Sequence, residues 1–309
     1  MIKTTSRHSK KRTLTWSFCL LRRSMKIAKT YEEQIEILKT RNLIIENEDG
    51  AIKALSTMNY YSLTGYLYQF KDKSGNYING TTLEQGIALY KFDRELSSII
   101  LYFLNEIEQT IKTKIAYITA FYFPDNPCFY KDSSCFSNPT EHKKFISEFN
   151  KAVHNNKDAK FVKHHMKNYD GNFPIWVAIQ LFTLGNIKHF YKNMPNNTRK
   201  SISKEFDVAH NTLDNWIENL RLTRNLTAHN MRIYGNTSIK TPILSGKIEN
   251  KNNTNRIFAQ FLLFKILVQD KISWTEKIVQ LNNLIGKNSK YLDLNQIGFP
   301  ESWFEILTK

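Results

Sequence analysis

Arg224-Asn225-Leu226-Thr227-Ala228-His229, with Arg232 three residues on, places a guanidinium, a carboxamide and an imidazole within one short segment. Arginine is a permanent cation matched to phosphate oxygens, and histidine exchanges protons near neutral pH. These groups suffice to cut RNA without a metal, because RNA carries its own nucleophile, the 2′-OH. Cleavage needs a base for that proton, an acid for the leaving 5′-oxygen and positive charge against the phosphorane; histidine serves the first two and arginine the third. Five residues on an ideal helix turn through about 500°, so Arg224 and His229 would point roughly 140° apart. Either the helix breaks within the motif or two copies from two chains meet. A helix end whose His229 and Arg232 favour the C-terminal dipole is the structural alternative.

The remaining chemistry-bearing residues form no second constellation. Cys19, Cys128 and Cys135 are odd in number and show no C-x-x-C spacing, which fits a reducing cytoplasm and predicts neither a disulfide framework nor a zinc site. His164-His165 lies on a basic segment without the spacing of a zinc site, and no glycine-rich phosphate loop occurs. No metal or cofactor is expected.

The 309 residues carry 44 Lys and Arg against 28 Asp and Glu, a net charge of +16. Such a balance predicts attraction to polyanions, nucleic acid first. Residues 1–24 hold seven basic residues and no acid, and +16 less those seven leaves +9 on the rest. This tail reads either as a nucleic-acid-binding arm or as upstream sequence before a start at Met25. No apolar run is long enough to span a membrane.

Eleven glycines and seven prolines are few for this length and argue for helices. A short helix is expected over 31–39, two more over 49–70 broken near Asn59, and turns from Lys71 to Thr82. The aromatics Tyr60, Tyr61, Tyr66, Tyr68 and Phe70 either stack on bases or pack a small helical subdomain. Apolar residues recur at helical spacing without proline from about Leu83 to Phe123, predicting a long helix as the spine of a bundle. A loop follows over 124–139, then a helix over 141–153. Another helix starts at Pro174, with Gly185 as its kink or end. Asn211 to Thr223 is amphipathic and delivers the chain to Arg224. Helices over 257–268, 273–287 and 300–308 complete an all-α reading.

In several segments the chain resembles the abortive-infection (Abi) family of bacterial phage-defence proteins, the AbiD/AbiF group, and through it the HEPN superfamily. They are Tyr31–Lys39 with Arg41–Ile45, Asn59–Tyr66, Leu89–Leu96, Ile107–Thr113, Pro174–Trp176 through Thr183–Gly185, and Arg224–His229. The resemblance runs over about residues 26–235, with Gly298–Trp303 also similar, and has no counterpart for the first 24 residues. The chain is expected to divide into a basic tail over 1–24, a helical segment over 25–82, a core over 83–235 that the resemblance implies is a HEPN-like helical bundle, and a helical extension over 236–309.

The HEPN motif is Arg-x4–6-His, here in its x4 form with Asn after Arg. The resemblance implies a metal-independent endoribonuclease with Arg224 and His229 catalytic, Asn225 assisting, and 2′,3′-cyclic phosphate and 5′-hydroxyl products. It also implies a homodimer whose two motifs form one composite site, and a bacterial, cytoplasmic toxin held in check by an RNA or protein antitoxin. Glu108 is then expected to orient Arg224, with Asp93 and Arg232 as further supporting residues. Lys112, Lys114, Arg221 and Arg232 are expected to contact RNA. Gln180 and Asn230 depart from the family's frequent Glu and His. The rival reading is a non-catalytic RNA-binding protein of a defence system. A helical scaffold, for which +16 is mere solubility, is the third.

Overall fold

The computed structural model describes residues 27–244 and 255–309, so the expectations for the basic tail and Cys19 lie outside the described residues. Thirteen α-helices and no β-strand occur among the described residues. The chain begins with α1 (Tyr31–Lys39), α2 (Glu48–Thr57) and α3 (Tyr60–Tyr66), followed by α4 (Leu83–Tyr122). Then come α5 (Pro139–Asn155), α6 (Lys160–Asn168), α7 (Ile175–Ala178), α8 (Leu184–Asn193), α9 (Asn196–Lys204) and α10 (His210–Ala228). After the polar link the chain adds α11 (Phe258–Leu267), α12 (Lys271–Asn288) and α13 (Trp303–Thr308).

The starts of the first four helices follow side-chain chemistry. Thr30 and Glu33 form a capping box on α1, and Thr82 and Gln85 form one on α4. Asn59 caps α3, which is the expected break in the 49–70 stretch. Between α3 and α4 the chain turns through Gly75 and Gly80, both at positive φ, as the turn-rich composition anticipates.

The 40 residues of α4 make it the spine of the bundle. It packs against α3, α7, α9, α10, α11 and α12. Its buried stripe includes Leu89, Phe92, Leu96, Ile100, Phe103, Leu104, Ile107, Ile111 and Ile115, positions recurring three and four apart. Phe103 sits among Phe261, Phe264 and Trp274, which joins the C-terminal helices to the spine. A smaller core of Ile35, Leu38, Leu55, Leu63 and Tyr77 holds the N-terminal helices together.

One local expectation needs correction. The segment from Pro174 is not one helix running to Gly185. It forms α7, a 3-10 turn over Ile179–Leu181 and an extended Phe182 before α8 begins. Thr183 places the break, because its hydroxyl accepts the Asn186 amide (3.2 Å) while the Asn186 side chain bonds back to the Thr183 amide (2.9 Å). The aromatic group near residue 60 divides: Tyr66 is buried in the core, while Tyr61 and Tyr68 stay exposed.

Candidate functional site

Helix α10 runs antiparallel to α4. At one end Lys114 of α4 donates to the Glu205 carbonyl (2.7 Å), and at the other Arg94 donates to the Asn230 carbonyl (3.2 Å). The amphipathic pattern of α10 fixes which side turns inward, against α4 and α8: Leu213, Trp216, Ile217, Leu220, Thr223 and Thr227 are buried. The motif therefore occupies the last turn of α10, beside the N-terminal half of the spine.

The helix does not break between Arg224 and His229. Ala228 is its last residue and His229 its C-cap. Asn230 follows with φ +54, the left-handed conformation that asparagine tolerates better than most residues. The Asn230 amide bonds the Thr227 carbonyl (3.1 Å) and the Met231 amide bonds the Leu226 carbonyl (2.9 Å), a Schellman ending. Arg94 completes the cap by donating to the Asn230 carboxamide oxygen, and its cation complements the C-terminal dipole. An Asn230→Gly variant keeps the turn and is expected to lose no more than about 1 kcal/mol, the Arg94 contact. Asn230→Val is expected to add about 1–2 kcal/mol of backbone cost, measurable as a shift in urea midpoint.

With the helix intact through Ala228, Arg224 and His229 leave it about 140° apart. Asn225 sits one turn before His229 and shares its side of the helix, whereas Arg224 shares a side with Ala228. Arg224 and His229 are exposed and Asn225 is half-buried. Among the described residues neither the guanidinium nor the imidazole has a hydrogen-bond or ion-pair partner. One chain thus presents the two groups separately.

Asp93 has a structural role that the sequence did not reveal. It is fully buried and accepts the Tyr66 hydroxyl (2.7 Å) and the amides of Ile233 (2.8 Å) and Tyr234 (2.9 Å). Burial pushes its carboxyl above the usual carboxylate range, while these three donors and the Arg94 guanidinium oppose the rise. Asp93 therefore fastens the segment after the motif to the spine instead of touching Arg224 or His229. Arg232 donates to the Gly65 carbonyl and lies over the Tyr66 ring, closing the same junction from outside.

Among the described residues Glu108 makes no hydrogen bond or ion pair to the motif. Its carboxylate pairs with Lys112 at 2.7 Å, and 14 residues of helix put it about 21 Å along the spine from Arg94. The cations expected at RNA are each engaged within the chain. Lys112 is buried against Glu108, Lys114 holds Glu205 and the Phe206 ring, and Arg232 holds Gly65. Arg221 clamps Glu218 through Nε (2.8 Å) and Nη2 (3.0 Å). Two of these pairings had a readable signal, since Glu108–Lys112 and Glu218–Arg221 stand four and three residues apart.

The Arg221 clamp, with Lys188 at 3.4 Å, lowers the Glu218 pKa from 4.5 to about 2. A folded-state pKa below the unfolded one stabilises above the unfolded value and fades as pH falls through the folded one. Wild type is therefore expected to lose more thermal stability than Glu218→Gln between pH 4.5 and about 2, followed by melting temperature across that window.

Gln180 is exposed on the 3-10 turn after α7. Among the described residues no group of three or more His, Cys, Asp and Glu side chains is placed to hold a metal ion. No helix among them is long and apolar enough to cross a membrane.

Comparison with known proteins finds no match among curated proteins and none among solved structures. A family model described as Abi-like protein matches residues 53–235. That stretch contains all of α4 and α10, both ends of their antiparallel pairing and the Asp93 junction, and it stops one residue after Tyr234. The chain therefore belongs to the Abi-like protein family, whose setting is abortive infection in phage defence.

Proposed function

We propose that this protein is a HEPN-type endoribonuclease of phage defence, a restrained toxin that cuts RNA without a metal at a site shared by two copies of the chain. The observation that carries the reading is the placement of Arg224, Asn225 and His229 on an intact, exposed helix end, where the two ionisable groups diverge and lack partners of their own. A second copy brings a second Arg224 and His229 against the first. Exposed Leu222 and Met231 flank the motif and offer apolar surface for that contact.

At the joint site one His229 takes the 2′-OH proton. The 2′-oxygen bonds to phosphorus as the bond to the 5′-oxygen breaks, and the other His229 protonates the departing oxygen. The Arg224 side chains hold the non-bridging oxygens as negative charge grows, and Asn225 steadies the His229 side of the helix. The products are a 2′,3′-cyclic phosphate and a 5′-hydroxyl. The net charge of +16 favours an RNA as the restraining antitoxin or as a bound cofactor, with a protein antitoxin as the alternative.

Purified protein incubated with RNA in EDTA tests this directly. Cleavage with cyclic-phosphate ends is the expected result, and cleavage that EDTA abolishes overturns the metal-free chemistry. One observation favours a non-catalytic RNA binder instead: among the described residues no carboxylate pairs with Arg224 or His229. RNA that stays intact yet is retained in a salt-dependent manner selects that reading.

A further inference from the structure

We propose that the cleft between α5 and α6 holds one nucleotide of a single-stranded RNA. The cleft encloses about 440 Å³, within the roughly 300–1,000 Å³ of pockets that hold small organic ligands. Its floor is apolar, made by the buried side chains of Phe149, Val162 and Phe173. Its rim is polar, with two cations, Lys131 and Lys157, one acid, Asp170, and the side chains of Asn150 and His154 around the opening. An apolar floor with polar groups converging at the mouth suits a planar base below and a phosphate above.

One wall of the cleft is built in advance. Asp170 and Gly171 take successive left-handed conformations (φ +50 and +70), and Lys131 holds the turned loop through the Gly171 carbonyl (3.0 Å) and the Asn172 carboxamide (2.9 Å). Lys131 has no acidic partner among the described residues.

The surface around the cleft distinguishes an RNA strand from a free nucleotide. Three acids on α5 and just before α6 are already paired, Glu141 with Lys144 (2.8 Å), Glu148 with Lys151 (2.7 Å) and Asp158 with Lys163 (3.0 Å), which leaves Asp170 as the unpaired acid at the rim among the described residues. Lys157, Lys160 and Lys167 have no acidic partner among the described residues. Phe161 stands exposed on the same short helix and offers a stacking face beside these cations, and Tyr169 at its end is exposed on the side away from the His164 and His165 rings that it packs against (5.5 and 5.2 Å). A strand uses all of these groups, whereas a single nucleotide leaves most of them idle.

The cleft sits at the far end of the spine from the motif. Phe123, the C-cap of α4, stacks on Phe129 at 4.2 Å, two residues before Lys131. Arg94 lies 28 residues before Tyr122, about 42 Å along the helix axis. The proposal therefore stands independently of the cleavage reading.

The test uses the full-length protein and a labelled 12-nucleotide 2′-O-methyl RNA, which lacks the nucleophilic hydroxyl and cannot be cut. Lys157→Glu with Lys160→Glu, both on exposed positions, is expected to weaken binding at least ten-fold and to flatten the salt dependence by about one to two phosphate contacts. A 4-thiouridine version of the strand should crosslink within residues 149–173, and Val153→Trp, which fills the cleft, should remove that crosslink. Binding unchanged by the charge reversal, or crosslinks that fall elsewhere, overturns the site. Uridine monophosphate that competes as strongly as the 12-mer overturns the strand in favour of a free nucleotide.

Discussion

Arg224→Ala and His229→Ala are each expected to lower RNA cleavage by about 10²–10⁴-fold, while urea midpoints stay close to wild type. Both side chains are exposed and unpaired among the described residues, so their removal creates no cavity and orphans no buried group. A loss of activity accompanied by unfolding would refute this assignment, because it would make the residues structural. The divergence of the two groups adds a sharper test. If the working site draws on two copies, an excess of either inactive variant mixed with wild type should lower the wild-type activity, because mixed dimers hold only one of the two His229 side chains or one of the two Arg224 side chains. The suppression should deepen with protein concentration, as dimer formation requires. Wild-type activity that is unchanged by the excess variant argues for a site complete within one chain.

Asp93→Ala is the second large effect, and it falls on stability. The substitution leaves the Ile233 and Tyr234 amides and the Tyr66 hydroxyl without their shared acceptor inside the core. Each unsatisfied buried group costs about 1–3 kcal/mol, which for three groups is about 3–9 kcal/mol, and a loss toward the lower end, about 3–5 kcal/mol as for breaking a buried ion pair, is expected. That is a large part of the 5–15 kcal/mol that typically holds a domain together. Tyr66→Phe removes one hydrogen bond and keeps the ring under Arg232; it should cost about 1 kcal/mol. Equilibrium urea unfolding of both variants separates the two magnitudes. Similar small losses for both would mean that water replaces the carboxylate.

The spine and the all-α class were legible because they rest on local signals. From Leu83 to Tyr122 apolar residues recur at helical spacing without a proline, and Thr82 with Gln85 marks the start. The motif is legible as chemistry, and helix arithmetic alone gives the divergence of Arg224 and His229. The surroundings of the motif are not. Arg232 meets Gly65 across 167 residues, Arg94 meets Asn230 across 136, and Asp93 meets Ile233 across 140. No periodicity encodes such pairings. Net charge misled in the same way: +16 is a sum over the chain, and it does not say which cations are already spent on carbonyls and carboxylates. Lys112 and Arg221 could have been set aside from their own neighbours at positions 108 and 218. Lys114 could not, because Glu205 lies 91 residues away. Glycine punctuation alone does not place the break near Gly185, because the capping hydroxyl of Thr183 sets the boundary.

The Asp93 junction gives residues 231–234 an unusual standing. They form no helix or strand, yet two of their amide protons point into a carboxylate sealed in the core. Irregular segments generally exchange amide protons through small local openings, whereas protons locked to a core group wait for rarer, larger ones. The Ile233 and Tyr234 amides should therefore exchange with deuterium as slowly as those of α4, and the neighbouring Arg232 amide much faster. Slow exchange there would mean that the segment leaving the motif helix comes free only when the spine itself opens.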